Sequence, residues 1–144
     1  MSRLLALVCI VGVSCSHMSS ESYTGELSET TNCNDSMRTS RGAFKRMVRV
    51  NEEHGTFTLY DSTLALSGRV LAKGAAKFEG DRATILSGNG RRDSGTVLYT
   101  VHGGTLLFDG DELTVHIVVE THPDSADACT TVSEGTLTEY AYGD

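Results

Sequence analysis

Residues 113–120 read Leu113-Thr114-Val115-His116-Ile117-Val118-Val119-Glu120. In an extended chain, successive side chains point to opposite faces. Leu113, Val115, Ile117 and Val119 therefore share one face, and Thr114, His116, Val118 and Glu120 the other. An apolar column of this length predicts a strand that crosses a core, with His116 facing outward. The same pattern recurs in Thr56-Phe57-Thr58-Leu59-Tyr60, where Phe57 and Leu59 share a face before Asp61-Ser62 turns the chain. Glu79-Gly80-Asp81, His102-Gly103-Gly104 and Asp109-Gly110-Asp111 each place Gly where a tight turn needs positive φ, so hairpins are expected at all three.

Working outward, alternating segments lie near residues 22–28, 44–51, 56–60, 63–72, 75–79, 82–86, 95–101, 105–108, 112–120, 129–133 and 135–140. A small open sheet cannot hold so many strands without curling, which predicts an all-β antiparallel meander forming a closed or nearly closed β-barrel of about 8–10 strands, the alternative being a β-sandwich. Closure also removes edges that a chain with a single Pro cannot otherwise protect. Between Met37 and Val50 the two periods compete. Met37, Arg41, Phe44 and Val48 match helical spacing, whereas Phe44, Val48 and Val50 match a strand in which Arg46 is out of place. The reading is a strand from Phe44, with a helical turn near Met37 to Arg41.

The chain has 144 residues, enough for one domain. Its 12 Lys and Arg stand against 19 Asp and Glu, a formal charge of −7 that argues against nucleic acid as a partner, since neutralising phosphates needs a broad basic surface. Met1-Ser2-Arg3 followed by the uncharged run Leu4 to Val13 has the shape of a signal peptide. As a helix that run spans about 15 Å, half of a bilayer core of about 30 Å, too short to stay in the membrane. Gly12-Val13-Ser14-Cys15 resembles the lipobox of bacterial lipoproteins, with Gly12 standing where the family usually has a branched aliphatic residue. The resemblance implies lipidation at Cys15, and Ser16 after it implies sorting to the outer membrane; cleavage by the ordinary signal peptidase, giving a freely secreted or periplasmic protein, is the alternative. The expected organisation is a signal peptide over 1–14, a polar tether over 15–22 and one barrel domain over 23–144.

Of four cysteines, Cys9 lies in the leader and Cys15 would carry lipid, which leaves Cys33 and Cys129 to pair with each other in an oxidising compartment. Five histidines are present, but their spacing matches no metal motif, and no metal or cofactor is expected. Asp109, Asp111 and Glu112 lack the alternating oxygens of a calcium loop. Gly88-Asn89-Gly90 starts like a dinucleotide fingerprint, but Asp93 holds the place of the third Gly, so it reads as a flexible loop. No Gly-x-Ser-x-Gly elbow occurs.

Tyr99-Thr100-Val101-His102-Gly103-Gly104-Thr105-Leu106-Leu107-Phe108 and the closing Gly135-Thr136-Leu137-Thr138 resemble the strand-turn-strand pattern of small bacterial lipocalin-like lipoproteins. The resemblance covers the last third of the chain. The Gly-x-Trp signature of true lipocalins is missing, because the chain has no Trp, so the resemblance does not imply a deep ligand cavity.

Two basic groups stand out as candidate binding residues. Arg38, Arg41, Lys45, Arg46 and Arg49 have no acid among them, and Arg91 and Arg92 lie at the tip of the expected Ser87 to Ser94 loop. The leading expectation is a non-catalytic cell-envelope module, tethered to the membrane by lipid, whose barrel binds a small molecule, a glycan or a protein. An inhibitor of a secreted lysozyme or protease, plugging a cleft with the Ser87 to Ser94 loop, is the alternative, and a small enzyme the third reading.

Overall fold

A computed structural model describes residues 20–33, 39–61, 69–92, 97–122 and 128–140. Eight strands run in chain order: β1 (Ser20–Cys33), β2 (Thr39–Asn51), β3 (Thr56–Asp61), β4 (Val70–Glu79), β5 (Arg82–Arg92), β6 (Val97–Asp109), β7 (Glu112–Thr121) and β8 (Cys129–Glu139). Each pairs antiparallel with the next, and β8 returns to β1, so the sheet is a closed eight-stranded meander barrel and not a sandwich. This architecture is consistent with a lipocalin-like fold. β1 begins at Ser20, ahead of the expected domain start at Tyr23.

The column read from residues 113–120 points inward. Leu113, Val115, Ile117 and Val119 are buried, and His116 on the reverse face is exposed. Tyr23 and Leu27 of β1, Val48 and Val50 of β2, Phe57 and Leu59 of β3, Leu106 and Phe108 of β6 and Leu137 of β8 join them in one core. An apolar interior with a polar exterior is the inverse of a barrel that crosses a membrane with its strands.

The two ends of the barrel differ. At one end Glu52 to Gly55, Gly80-Asp81 and Gly110-Asp111 are short turns. Each accepts a backbone hydrogen bond from a strand beyond its own hairpin: Gly55 O from Ala76 N (2.9 Å), Asp81 O from Phe108 N (2.7 Å) and Asp111 O from Glu139 N (2.6 Å). This regular offset is the stagger that a tilted, closed sheet requires. Inside the same end, Phe108 packs edge-on to Tyr23 at 5.9 Å between centroids and tilted to Phe78 at 6.3 Å, so aromatic rings plug it. The connections at the opposite end, 34–38, 62–68, 93–96 and 123–127, lie outside the described residues. Cys33 and Cys129 meet there as direct register partners across the β1–β8 closure and form a disulfide, with 4.0 Å between their Cα atoms.

Several local expectations are corrected. Thr39 to Arg41 are strand and not a helical turn, because β1 offers them ladder partners from Asn32 back to Thr30; Met37 and Arg38 lie outside the described residues. His102-Gly103-Gly104 is no hairpin turn but the middle of β6, where the register shifts between Val101 and Gly103. A Cβ on Gly104 would collide with the carbonyl oxygen of His116, and its φ of 148° disfavours any side chain, so the glycine serves a close strand approach. The expected loop from Ser87, including Gly88-Asn89-Gly90, is strand as far as Arg92, paired along β6 from Val101 to Val97; Asp93 and Ser94 lie outside the described residues. Residues 129–133 and 135–140 are not separate strands, since β8 runs unbroken to Glu139.

Two stability outcomes are expected in urea denaturation. Gly104→Ala lowers the midpoint by the equivalent of about 2–4 kcal/mol with the slope unchanged, whereas Gly80→Ala, with open space around it and a φ of 59°, costs about 1 kcal/mol. Replacing Cys33 and Cys129 together by Ser costs about 2–4 kcal/mol, and a reducing agent has no further effect on that variant.

Candidate functional site

The strand period divides the basic residues of β2. Val50, Val48, Arg46 and Phe44 share the face paired with Glu21, Tyr23, Gly25 and Leu27 of β1, so Arg46 enters the barrel. Lys45 and Arg49 fall on the outer face with Arg41, which reaches the rim at the open end. Arg49 donates to Ser22 Oγ at 3.3 Å and lies over the Tyr60 ring at 5.7 Å. The five cations are therefore no single surface. Arg38 lies outside the described residues, as does Cys15; Arg91 and Arg92 close β5 at the open end.

Arg46 stands opposite Gly25, which fills no space, and its guanidinium reaches Glu29 further along β1. Nη2 donates to Glu29 Oε1 at 2.5 Å and Nε to Glu29 Oε2 at 3.2 Å. Ser133 of β8, itself buried, donates to Glu29 Oε2 at 2.7 Å. Nη1 donates to the Lys45 carbonyl at 3.2 Å and lies 3.4 Å from Asp61 Oδ1 on β3. The Phe44 ring folds over Gly42, where a Cβ would sit 2.8 Å from it, and rests 4.9 Å from the Arg46 Cζ. The side chains of Arg46 and Glu29 are only 11% and 9% exposed. Burying two charges costs solvation that their attraction, even with Ser133 and Asp61 added, roughly offsets, so the pair adds little net stability while its disruption is expensive. A charged network kept inside an otherwise apolar barrel is the kind of feature that marks a site.

Beyond this network toward the open end, Thr31 and Thr131 hydroxyls meet at 2.8 Å, and the disulfide forms the rim. Together these groups wall a cavity of about 400 Å³. Leu59, Leu71, Ala72 and Val119 supply its apolar side; Ser40, Thr121, Asp61 and Arg69 its polar side. A mouth of this volume, part apolar with a few convergent polar groups, matches the usual build of a small-ligand site. Phe44 keeps 45% of its surface exposed within it.

The plugged end carries the opposite character. Glu139 is held above the usual carboxylate range, first by partial burial and then by the nearby Glu21 and Asp111 charges. Tyr23 Oη donates to Glu21 Oε2 at 2.7 Å, tying the aromatic plug to that acidic rim. On the outer wall, His102 and Glu120 pair at 2.7 Å, too exposed to contribute much.

Glu29, Asp61 and Ser133 were missed by sequence reasoning. Their signal was a charged or hydroxyl residue in a column otherwise apolar: Glu29 follows Tyr23 and Leu27, Asp61 follows Phe57 and Leu59, and Ser133 precedes Leu137, each at even spacing. Comparison with protein-family models, with curated proteins and with solved structures finds no match.

Two measurements check this description. Arg46→Ala, which strands Glu29 without its cation, is expected to cost about 3 kcal/mol, and a cycle with Glu29→Ala to show the double variant losing less than the sum. A raised carboxyl pKa in the folded state means that stability falls as pH rises from the ordinary carboxylate value through the folded one. Glu139→Gln should therefore melt higher than the parent at pH about 7, the difference closing below pH about 4.

Proposed function

We propose that this chain is a non-catalytic, exported, lipid-anchored envelope barrel whose open end binds a small polyhydroxylated ligand such as a glycan unit. The observation that carries the reading is the cavity of about 400 Å³ at one end of the barrel, with the buried Arg46–Glu29 pair in its wall. Aromatic rings fill the other end, whereas this end sets a buried ion pair beside an unfilled volume. The lining combines hydroxyls on Thr31, Ser40, Thr121 and Thr131 with the carboxylates of Glu29 and Asp61 and the guanidiniums of Arg46 and Arg69. Sugar hydroxyls donate and accept at once and fit such mixed partners, while the exposed Phe44 ring offers a face for the C–H side of a sugar ring. The export half of the proposal is supported by the lipobox-like Gly12-Val13-Ser14-Cys15 and by the Cys33–Cys129 bridge, a bond that persists in oxidising compartments.

Titration of the isotope-labelled protein with methyl glucoside, N-acetylglucosamine and its short oligomers is expected to shift the amides of Thr31, Asp61, Thr131 and Ser133, and Val119→Trp, which fills the cavity, to abolish the shifts. Shifts confined to other residues, or equal response of the filled variant, would sink the mouth as the site. Intact mass of the protein from membrane and soluble fractions checks the anchor: a chain beginning at Cys15 with acyl mass is expected, and an unmodified chain beginning beyond it would overturn the anchoring.

A further inference from the structure

The wall between β4 and β5 is only half paired. Their ladder runs from Glu79↔Arg82 to Ala75↔Ser87 and stops. Beyond it, Val70 to Gly74 pair with β3 alone and Gly88 to Arg92 with β6 alone. The cause lies at the crossing point. A Cβ on Gly74 would collide with the Ser87 carbonyl oxygen, and one on Gly88 with that of Lys73, so the two backbones touch directly instead of lying at the strand spacing of about 4.8 Å that a ladder needs. Toward the open end the strands then part, and each turns a run of ladder-ready N–H and C=O groups toward the other that no described strand takes up.

We propose that this seam is a strand-addition site for an extended acidic peptide. Free strand edges have one chemical complement, another extended chain, and natural sheets normally cover or blunt them. Three further observations fix the occupant. A groove of about 510 Å³ opens at the crossing, lined by Thr56, Thr58, Lys73, Ala75, Ser87 and Gly88. Leu86 is the residue bulged out where the β4–β5 register shifts, since Ala76 faces Ile85 and Ala75 faces Ser87, and at 55% exposure it offers an apolar anchor beside the groove. The β4 edge carries the exposed Lys73, and neither edge segment that no described strand takes up, 70–74 or 88–92, holds an acid, in a chain whose formal charge is −7. A peptide alternating acidic and apolar side chains would set its acidic row on the outer face beside Lys73, flanked by Leu86, and its apolar row on the inner side with Leu71 and Ala72, while its backbone completes the ladder. The inference is independent of the ligand proposed for the mouth.

The probe is an octapeptide of alternating aspartate and valine, titrated into the isotope-labelled protein. Binding at a Kd of about 100 µM is expected, with amide shifts confined to residues 70–74 and 86–92. Methylating the peptide's alternate backbone nitrogens on one edge should weaken it at least about tenfold, and Lys73→Glu, an exposed change whose spectrum shows the fold intact, about fivefold. No shifts in those residues at about 1 mM peptide, equal affinity for the methylated peptide, or equal affinity for an octapeptide of alternating lysine and valine would each overturn the proposal. So would shifts of the same residues by anionic phospholipid vesicles with none by the peptide.

Discussion

Closure of β1 on β8 is the constraint on which the rest of the molecule depends. A meander of this length left open would present two free edges and an apolar face to water. Joined, it has a fixed interior into which alternate residues of each strand project except at the bulges, and the fold becomes a question of what fills that volume. The joint is made between the first and last strands, the costliest contact in loop entropy, and it is made at both ends by different means. At the open end the Cys33–Cys129 bridge links direct ladder partners, with Thr31 and Thr131 hydrogen-bonded just below. At the plugged end Tyr140 N reaches Ser22 O at 2.7 Å, extending the ladder past its last pair at Tyr23 and Glu139.

The interior is filled in two different ways along one axis. From the plugged end, Tyr23, Phe78 and Phe108 interlock, and branched aliphatic residues from all sides complete the middle. Nearer the open end the same inward columns change from apolar to polar within one or two positions: Leu27 gives way to Glu29, Leu59 to Asp61, Val48 to Arg46. The changes are coordinated across strands, since Arg46 and Asp61 are direct partners between β2 and β3 and Glu29 and Ser133 between β1 and β8. Register is what brings them together. A slip of one residue in β2 would send Arg46 to the surface and Met47 inward, so the ion network specifies the pairing as well as lining the mouth.

How much of this was legible depended on whether the strand period was visible locally. The column from Leu113 to Val119 and the turns at Gly80 and Gly110 carry their own evidence, and so does the pairing of Cys33 with Cys129 once the leader cysteines are set aside. His102-Gly103-Gly104 misled because paired glycines are the usual mark of a turn, whereas here Gly104 lets β6 pass close to the His116 carbonyl, a reason that exists only when β7 is in place. The Gly88-Asn89-Gly90 stretch misled in the same way: its strand state comes from its β6 partners, not from propensity. The site residues were obscured differently. Glu29 sits in Ser28 to Asn32, a wholly polar stretch that reads as surface until the parity set by Tyr23 and Leu27 is carried through it. Arg46 was the one visible anomaly, an interruption in a strand pattern that was itself the signal of the site.

Those misreadings share a physical origin that bears on function. Glycine removes the side chain that would keep two strands at ladder distance, and this barrel uses it where neighbours must come closer than a ladder allows. Between β6 and β7 the approach at Gly104 is absorbed by a bulge and pairing resumes on both sides. Between β4 and β5 the approach at Gly74 and Gly88 is not absorbed, and pairing ends. The difference follows from what lies beyond the contact: β7 continues through a full column of buried side chains that hold it against β6, whereas above Gly74 only Leu71 and Ala72 of β4 turn inward as buried residues, and they face the open cavity. With little core among the described side chains to draw the strands back together, the wall parts on the side where the cavity lies, so the cavity and the seam share the thinning of the described core toward the open end.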